Sequence, residues 1–198
     1  MSPPQLGAAA PLAVKSRRLF FALWPDAAQR ERLGEAVHAA VRGSGGRSVP
    51  AAQLHVTLAF LGSVAVPRVA QLTDIAGAAA HAAGLPGGRI ELSLDRLAHW
   101  RRPQVLCALP ACPPAALGAL AAGLIASLRE AGFAPDLKPF RPHVTVARKV
   151  TRPSESAALP PVRWRFEAFA LIESLTLESG PVYSVVEAYP LYAERARK

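Results

Sequence analysis

Lysine is almost missing from this chain of 198 residues: Lys15, Lys138, Lys149 and Lys198 stand against 19 arginines. Cysteine is scarcer still, with Cys107 and Cys112 alone and not in C-x-x-C spacing. Cys107 lies in the apolar run "VLCALP", and two reduced structural thiols are expected. No apolar run approaches the ~20 residues that a membrane span needs, which argues against a spanning helix. The opening "MSPPQLGAAAPLAV" has no basic region ahead of its apolar part and is broken by prolines, so a secretory signal is not expected either. The expected layout is a flexible tail over 1–16, one domain over 17–193 and a basic tail over 194–198, in the cytoplasm.

What remains is enough for a core. Hydrophobic residues make up 51% of the chain and charged residues 19%, which excludes a disordered protein and fits a soluble globular one. One domain, or two intimate lobes, is the expectation at this length. The net charge of +9 invites a nucleic-acid reading, because cations neutralise phosphates and release counterions. That inference is discounted twice. The excess of arginine with alanine, proline and glycine has the look of GC-rich coding, and Arg17, Arg18, Arg195 and Arg197 sit in the terminal segments. The charge suits a polyanionic substrate without demonstrating one.

Hydrophobic periodicity outlines a mixed α and β chain. "RLFFALW" (Arg18–Trp24) reads as a buried strand stopped by Pro25. Pro25 and Asp26 suit a helix start, Leu33, Val37, Ala40 and Val41 recur at helical spacing, and Gly43 suits the stop. Leu54–Leu61 is the next strand, closed by Gly62, and a second helix runs from about Pro67 to Ala83. "RIELSLDRL" alternates strictly and "PQVLCALP" is a further strand. A strong helix carries Leu117, Leu120, Leu124 and Leu128, "FRPHVTVARKV" is another strand, and the remainder is β-rich with a turn around Ser179-Gly180-Pro181.

Histidine occurs only 5 times, yet two copies share a context: "LHVTLAF" contains His55 and Thr57, and "RPHVTVAR" contains His143 and Thr145, 88 positions later. With equally few threonines, a given histidine finds one at +2 by chance in roughly 2–3% of cases, so a double match is rare in shuffled chains. The element order repeats too: strand, proline-started helix, loop, H-V-T strand. Two related halves, each delivering an imidazole and a hydroxyl to one cleft, are therefore expected.

The chemistry follows from alternation along a strand. His55 and Thr57 share one face while Leu54, Val56, Leu58 and Phe60 take the other; His143 and Thr145 oppose Val144 and Val146 in the same way. Two imidazoles across a phosphate can serve as base and acid in line, and the hydroxyls can donate to its non-bridging oxygens. A cyclic phosphodiester suits this arrangement, because its ring holds the leaving oxygen in place. A metal site is the weaker reading, since neither strand has an adjacent carboxylate and no H-x-x-x-H spacing occurs. His38, His81 and His99 lack this context and are expected in helices or a loop, facing solvent or filling structural roles.

At "RLFFALW", "LHVTLAFLG", "PFRPHVTVAR" and "FALIESLTLESGPVY" followed by "YPL", the chain resembles the 2H phosphoesterases. Among them it is similar to the RNA 2′,3′-cyclic phosphodiesterases, or 2′-5′ RNA ligases of the LigT/ThpR type, from Arg18 to Leu191. The resemblance implies a bilobed α+β fold with pseudo-two-fold antiparallel sheets around a central cleft and helices outside. It implies hydrolysis of 2′,3′-cyclic phosphate RNA ends to 2′-phosphates by a monomer with no metal and no cofactor. His55 would be the proton donor and His143 the proton acceptor, with Thr57 and Thr145 holding the phosphate. Reversible 2′-5′ joining of tRNA halves also comes with it. Relatives often carry an arginine at the place of Arg148, although strict alternation would turn Arg148 away from His143. Arg141 would do no more than solvate the strand entrance. Phe20 or Phe21 could stack on a base, core packing being the commoner role. A different small cyclic phosphate such as ADP-ribose 1″,2″-cyclic phosphate, or a non-catalytic module that binds RNA ends, would use the same cleft.

Overall fold

Aliphatic and aromatic runs punctuated by proline, glycine and aspartate build two antiparallel sheets and three helices among the described residues. The computed structural model describes residues 15–83, 88–136, 138–152, 157–178 and 180–191. The expected tails lie outside them apart from Lys15 and Ser16, and so does Ser179 of the expected turn.

The first sheet has the order β3-β1-β8-β9, from β1 (Ser16–Leu23), β3 (Val56–Ala65), β8 (Ala168–Leu177) and β9 (Gly180–Pro190). The second has the order β2-β6-β5-β4-β7, from β2 (Arg47–Ser48), β4 (Ile90–Trp100), β5 (Val105–Leu109), β6 (Val144–Arg148) and β7 (Ala157–Phe166). The expected repeat is visible in this order: β3-β1-β8-β9 superposes in sense on β6-β5-β4-β7, with an H-V-T segment leading into the first strand of each series.

Helix α1 (Ala27–Gly43) starts where Asp26 caps it, the carboxylate accepting from the Gln29 N–H at 2.7 Å. Its buried stripe is Gln29, Leu33, Val37 and Val41. Gly43 is the last helical residue but not the left-handed stop; Ser44 caps the end, and Gly45 adopts φ +64°. Helix α2 (Val69–Ala82) begins later than Pro67, because a 3-10 turn over Val66–Arg68 absorbs the proline. Helix α3 (Ala115–Glu130) buries Leu117, Leu120, Leu124 and Leu128, as its spacing predicts.

The helices cross between the sheets. Helix α1 follows β1 of the first sheet yet packs on β7 and β6 of the second, while α3 follows β5 of the second sheet and packs on β3 of the first. The buried Gln29 side chain ties this crossing: its amide donates to the Arg165 carbonyl at 3.3 Å and its oxygen accepts from the Arg165 N–H. The fully buried Trp164 donates from Nε1 to the Gln29 carbonyl at 2.8 Å. One continuous apolar core results, with Leu19, Phe21 and Leu23 of β1 on its side. Phe20 and Ala22 point the other way, into a small second cluster with Ala170 and Ile172.

Two corrections concern strand limits. The strand expected over Leu54–Leu61 begins at Val56 and runs through Gly62 to Ala65. Gly62 does not close it; the residue sits at a bulge with φ +68°, where Leu19 faces Gly62 and Phe20 faces Phe60. His99, expected in a helix or loop, lies in β4, which extends to Trp100. His38 and His81 are exposed on α1 and α2.

Candidate active site

Each H-V-T strand carries an irregularity directly after its threonine, the second one in β3 and the one in β6 against β5, and these bulges decide what faces the cleft. In β3, Thr57 opposes Ala22 and Ala59 opposes Phe21, so Leu58 is the extra residue. In β6, Thr145 opposes Cys107 and Ala147 opposes Leu106, so Val146 is the extra residue. Directly opposed residues share a face. Phe60 opposes Phe20, and Arg148 opposes Val105, so both lie on the histidine side of their sheets. Strict alternation placed Phe60 and Arg148 away from the histidines; the bulges reverse both.

The two strands converge on one pocket of about 50 Å³, lined by Val49, Gln53, His55, Thr57, His143, Thr145, Arg148 and Tyr183. All five residues expected at the site are therefore brought together. His55 and His143 stand just ahead of their strands rather than inside them. That position frees each Nδ1 to bond the chain two residues back: His55 to the Gln53 carbonyl at 2.6 Å and His143 to the Arg141 carbonyl at 2.8 Å. A carbonyl only accepts, so Nδ1 carries the proton in both rings and each Nε2 is left for the cleft. His55 Nε2 lies 3.1 Å from the Thr57 hydroxyl.

The surroundings of the two rings differ. His55 is walled by Phe20 at 5.0 Å, Trp24 at 5.5 Å and Tyr183 at 5.4 Å between ring centroids. Arg30 lies over the Trp24 ring at 4.4 Å, and its Nε donates to the Leu54 carbonyl. His143 has Trp100 at 4.5 Å. Burial pushes the His55 imidazole down to about 4, against the Gln53 carbonyl, and the positive charges of Arg148, His143 and Arg30 act in the same downward direction. His143 is lowered by burial and by Arg148, with the Arg141 carbonyl opposing. Burial likewise pushes the Cys107 thiol up to about 12, which makes it an inert neighbour of Thr145.

Sequence reasoning does not single out Gln53, Val49, Trp24, Trp100 or Tyr183. Gln53 acts through its backbone carbonyl, so its side chain gives no signal, and Tyr183 arrives from β9 by sheet pairing. Phe20 and Phe21 part company: Phe21 packs with Phe169 and Tyr189 in the core, while Phe20, 2% exposed, backs His55. Phe20 is too covered to offer a stacking face.

A family model described as the 2′-5′ RNA ligase superfamily matches residues 24–178. The chain belongs to this superfamily. Relatives in it include an RNA 2′,3′-cyclic phosphodiesterase of Escherichia coli (strain K12), 35% identical over 147 residues that cover 73% of this chain and 77% of that protein. One of the same name from Thermus thermophilus is 42% identical over 65 residues, 31% of each chain. Among solved structures, E. coli LigT complexed with 3′-AMP matches with a TM-score of 0.80 at 27% identity, over 90% of this chain and all of that one. TT0787 of T. thermophilus matches at 0.75 and 29% identity, over 90% of this chain and 100% of that one. The α+β fold of the superfamily, with paired antiparallel sheets, is the fold observed.

Proposed function

We propose that this chain hydrolyses 2′,3′-cyclic phosphate ends of RNA to 2′-phosphates, with His55 as proton donor and His143 as proton acceptor. The observation that carries the reading is the pairing of two imidazoles, both anchored at Nδ1 on backbone carbonyls, with both Nε2 atoms left for one pocket shared by Thr57, Thr145 and Arg148. The pocket is small and lined by these polar groups, which suits a phosphate end. His143 Nε2 takes the proton from water as its oxygen attacks phosphorus. The P–O3′ bond breaks, and the 3′-oxygen leaves with the proton from His55 Nε2. Thr57, Thr145 and the Arg148 guanidinium hold the non-bridging oxygens as charge gathers there.

Among its own protein neighbours His55 is depressed, the opposite of what a donor needs. An anionic phosphodiester supplies the correction, since a negative charge beside an imidazole favours its protonated form. Relatives named RNA 2′,3′-cyclic phosphodiesterase support the substrate class, and the family description supports reversible 2′-5′ joining as a second reaction of the same site. The reading extends to a metal-free cytoplasmic monomer, acting on RNA ends that include tRNA fragments, with residues 17–193 as the working domain.

Purified protein with excess EDTA should open a 2′,3′-cyclic-phosphate oligonucleotide and yield the 2′-phosphate. His55→Ala and His143→Ala should each lower kcat on the order of 10²–10⁴-fold. Near-normal turnover by either variant refutes the two-histidine assignment. Turnover of ADP-ribose 1″,2″-cyclic phosphate alone transfers the same machinery to a different substrate, and binding without turnover reduces the chain to a binding module.

A further inference from the structure

Hydrolysis leaves one feature of the cleft without a task. Trp100, at the end of β4, places its ring 4.5 Å from His143 at an interplanar angle of 54° and is only half-buried. Register fixes it on the cleft face: Thr145 opposes Cys107, Cys107 opposes Ala98, and Trp100 lies two residues beyond Ala98. Arg101 and Arg102 follow at once in the turn to β5, both exposed. Among the described residues, the ion pairs engage Arg17, Arg89, Lys138 and Arg165, and neither Arg101 nor Arg102 has a carboxylate within that range. An indole beside two exposed guanidiniums is the combination that holds single-stranded nucleic acid, by base stacking and phosphate contacts.

The side on which this combination sits gives it meaning. With His55 at the departing 3′-oxygen, the nucleoside bearing the cyclic phosphate extends past His55, and attack comes from the His143 side. Water needs no platform there. We infer that Trp100, Arg101 and Arg102 form the subsite for a second RNA strand whose 5′-hydroxyl replaces water; this rests on the donor and acceptor roles proposed above. The 5′-oxygen attacks phosphorus and its proton passes to His143 Nε2. The P–O3′ bond breaks, the 3′-oxygen takes the proton from His55 Nε2, and the retained P–O2′ bond leaves a 2′-5′ linkage. The first base of the incoming strand stacks on Trp100, and the guanidiniums take its first internucleotide phosphates.

A partition assay tests this. The full chain is given a 2′,3′-cyclic-phosphate oligonucleotide together with a 5′-hydroxyl oligonucleotide, and the ratio of joined to hydrolysed product is measured. Because both products pass through the same two histidines, a disturbance of His143 cancels in the ratio. Trp100→Ala should lower the ratio by about 10- to 100-fold, the range for loss of one stacked base, and Trp100→Phe should restore most of it. The double variant Arg101→Gln/Arg102→Gln should also lower the ratio and flatten its decline with salt, which keeps the inference testable if Trp100→Ala fails to fold. An unchanged ratio in Trp100→Phe, Trp100→Ala and the arginine variant overturns the subsite. So does wild-type protein that hydrolyses but never joins, an outcome that leaves the hydrolytic reading standing. Protein that does neither refutes the hydrolytic reading itself.

Discussion

Each imidazole of the cleft is held at one nitrogen and available at the other, so its proton affinity is set by what surrounds the ring. For both rings burial is the largest influence and Arg148 adds to it, so both are depressed in the free protein, His55 the further of the two. General acid–base catalysis needs one ring charged and one neutral. In the free protein the pair holds a single proton above the His55 value of about 4 and below pH 6.5, mostly on His143. The working form with the proton on His55 is a minor fraction that peaks in the same window. Since kcat/KM reports the free enzyme and kcat the complex, the kcat/KM profile should peak below pH 6.5. The kcat profile should peak at higher pH, because bound phosphate raises both rings. Arg148→Ala removes a positive charge that lowers both histidines, so its kcat/KM optimum should move up in pH. A pH–rate series on wild type and variant decides this; a downward move in the variant contradicts the electrostatic account.

Elements carry the information that single residues lack. The repeated H-V-T words, the helix stripes and the strands were legible because each is written in local periodicity. The facing of Phe60 and Arg148 was not, because Leu58 and Val146 become extra residues only when β3 meets β1 and β6 meets β5. Alternation counts along one strand; a bulge is a property of two. Gly62 is the nearest thing to a written trace, since its φ of +68° suits glycine and marks the upper bulge of β3. An added Cβ there meets nothing within 4 Å, so Gly62→Ala isolates the backbone cost. Loss of the left-handed residue costs roughly 1–2 kcal/mol, partly offset by the stiffer unfolded chain. Gly77, exposed in α2, also has open space around its Cβ position but helical backbone. Gly77→Ala should therefore stabilise by about 1 kcal/mol. Urea titrations should give the two identical substitutions opposite signs, and equal signs count against the bulge account.

At the scale of the whole molecule, two sheets that each carry half of the proposed histidine pair must keep those halves in fixed relation. The crossing helices do this: α1 leaves the first sheet to cover the second, and α3 leaves the second to cover the first. Neither sheet can lose its cover without disturbing the chain of the other. The expected consequence is one cooperative transition, with tryptophan fluorescence and far-UV circular dichroism tracing the same urea curve. Gln29 is the point at which the crossing is most exposed to a single change, because its amide is the partner of both the N–H and the carbonyl of Arg165 on β7. Gln29→Leu keeps the apolar volume but leaves those backbone groups unpaired, at a cost of about 1–3 kcal/mol. The midpoint should fall while the slope stays at its wild-type value. Two separated transitions in the wild type, or a Gln29→Leu variant as stable as its parent, would show that the halves hold their relation by some means other than this crossing.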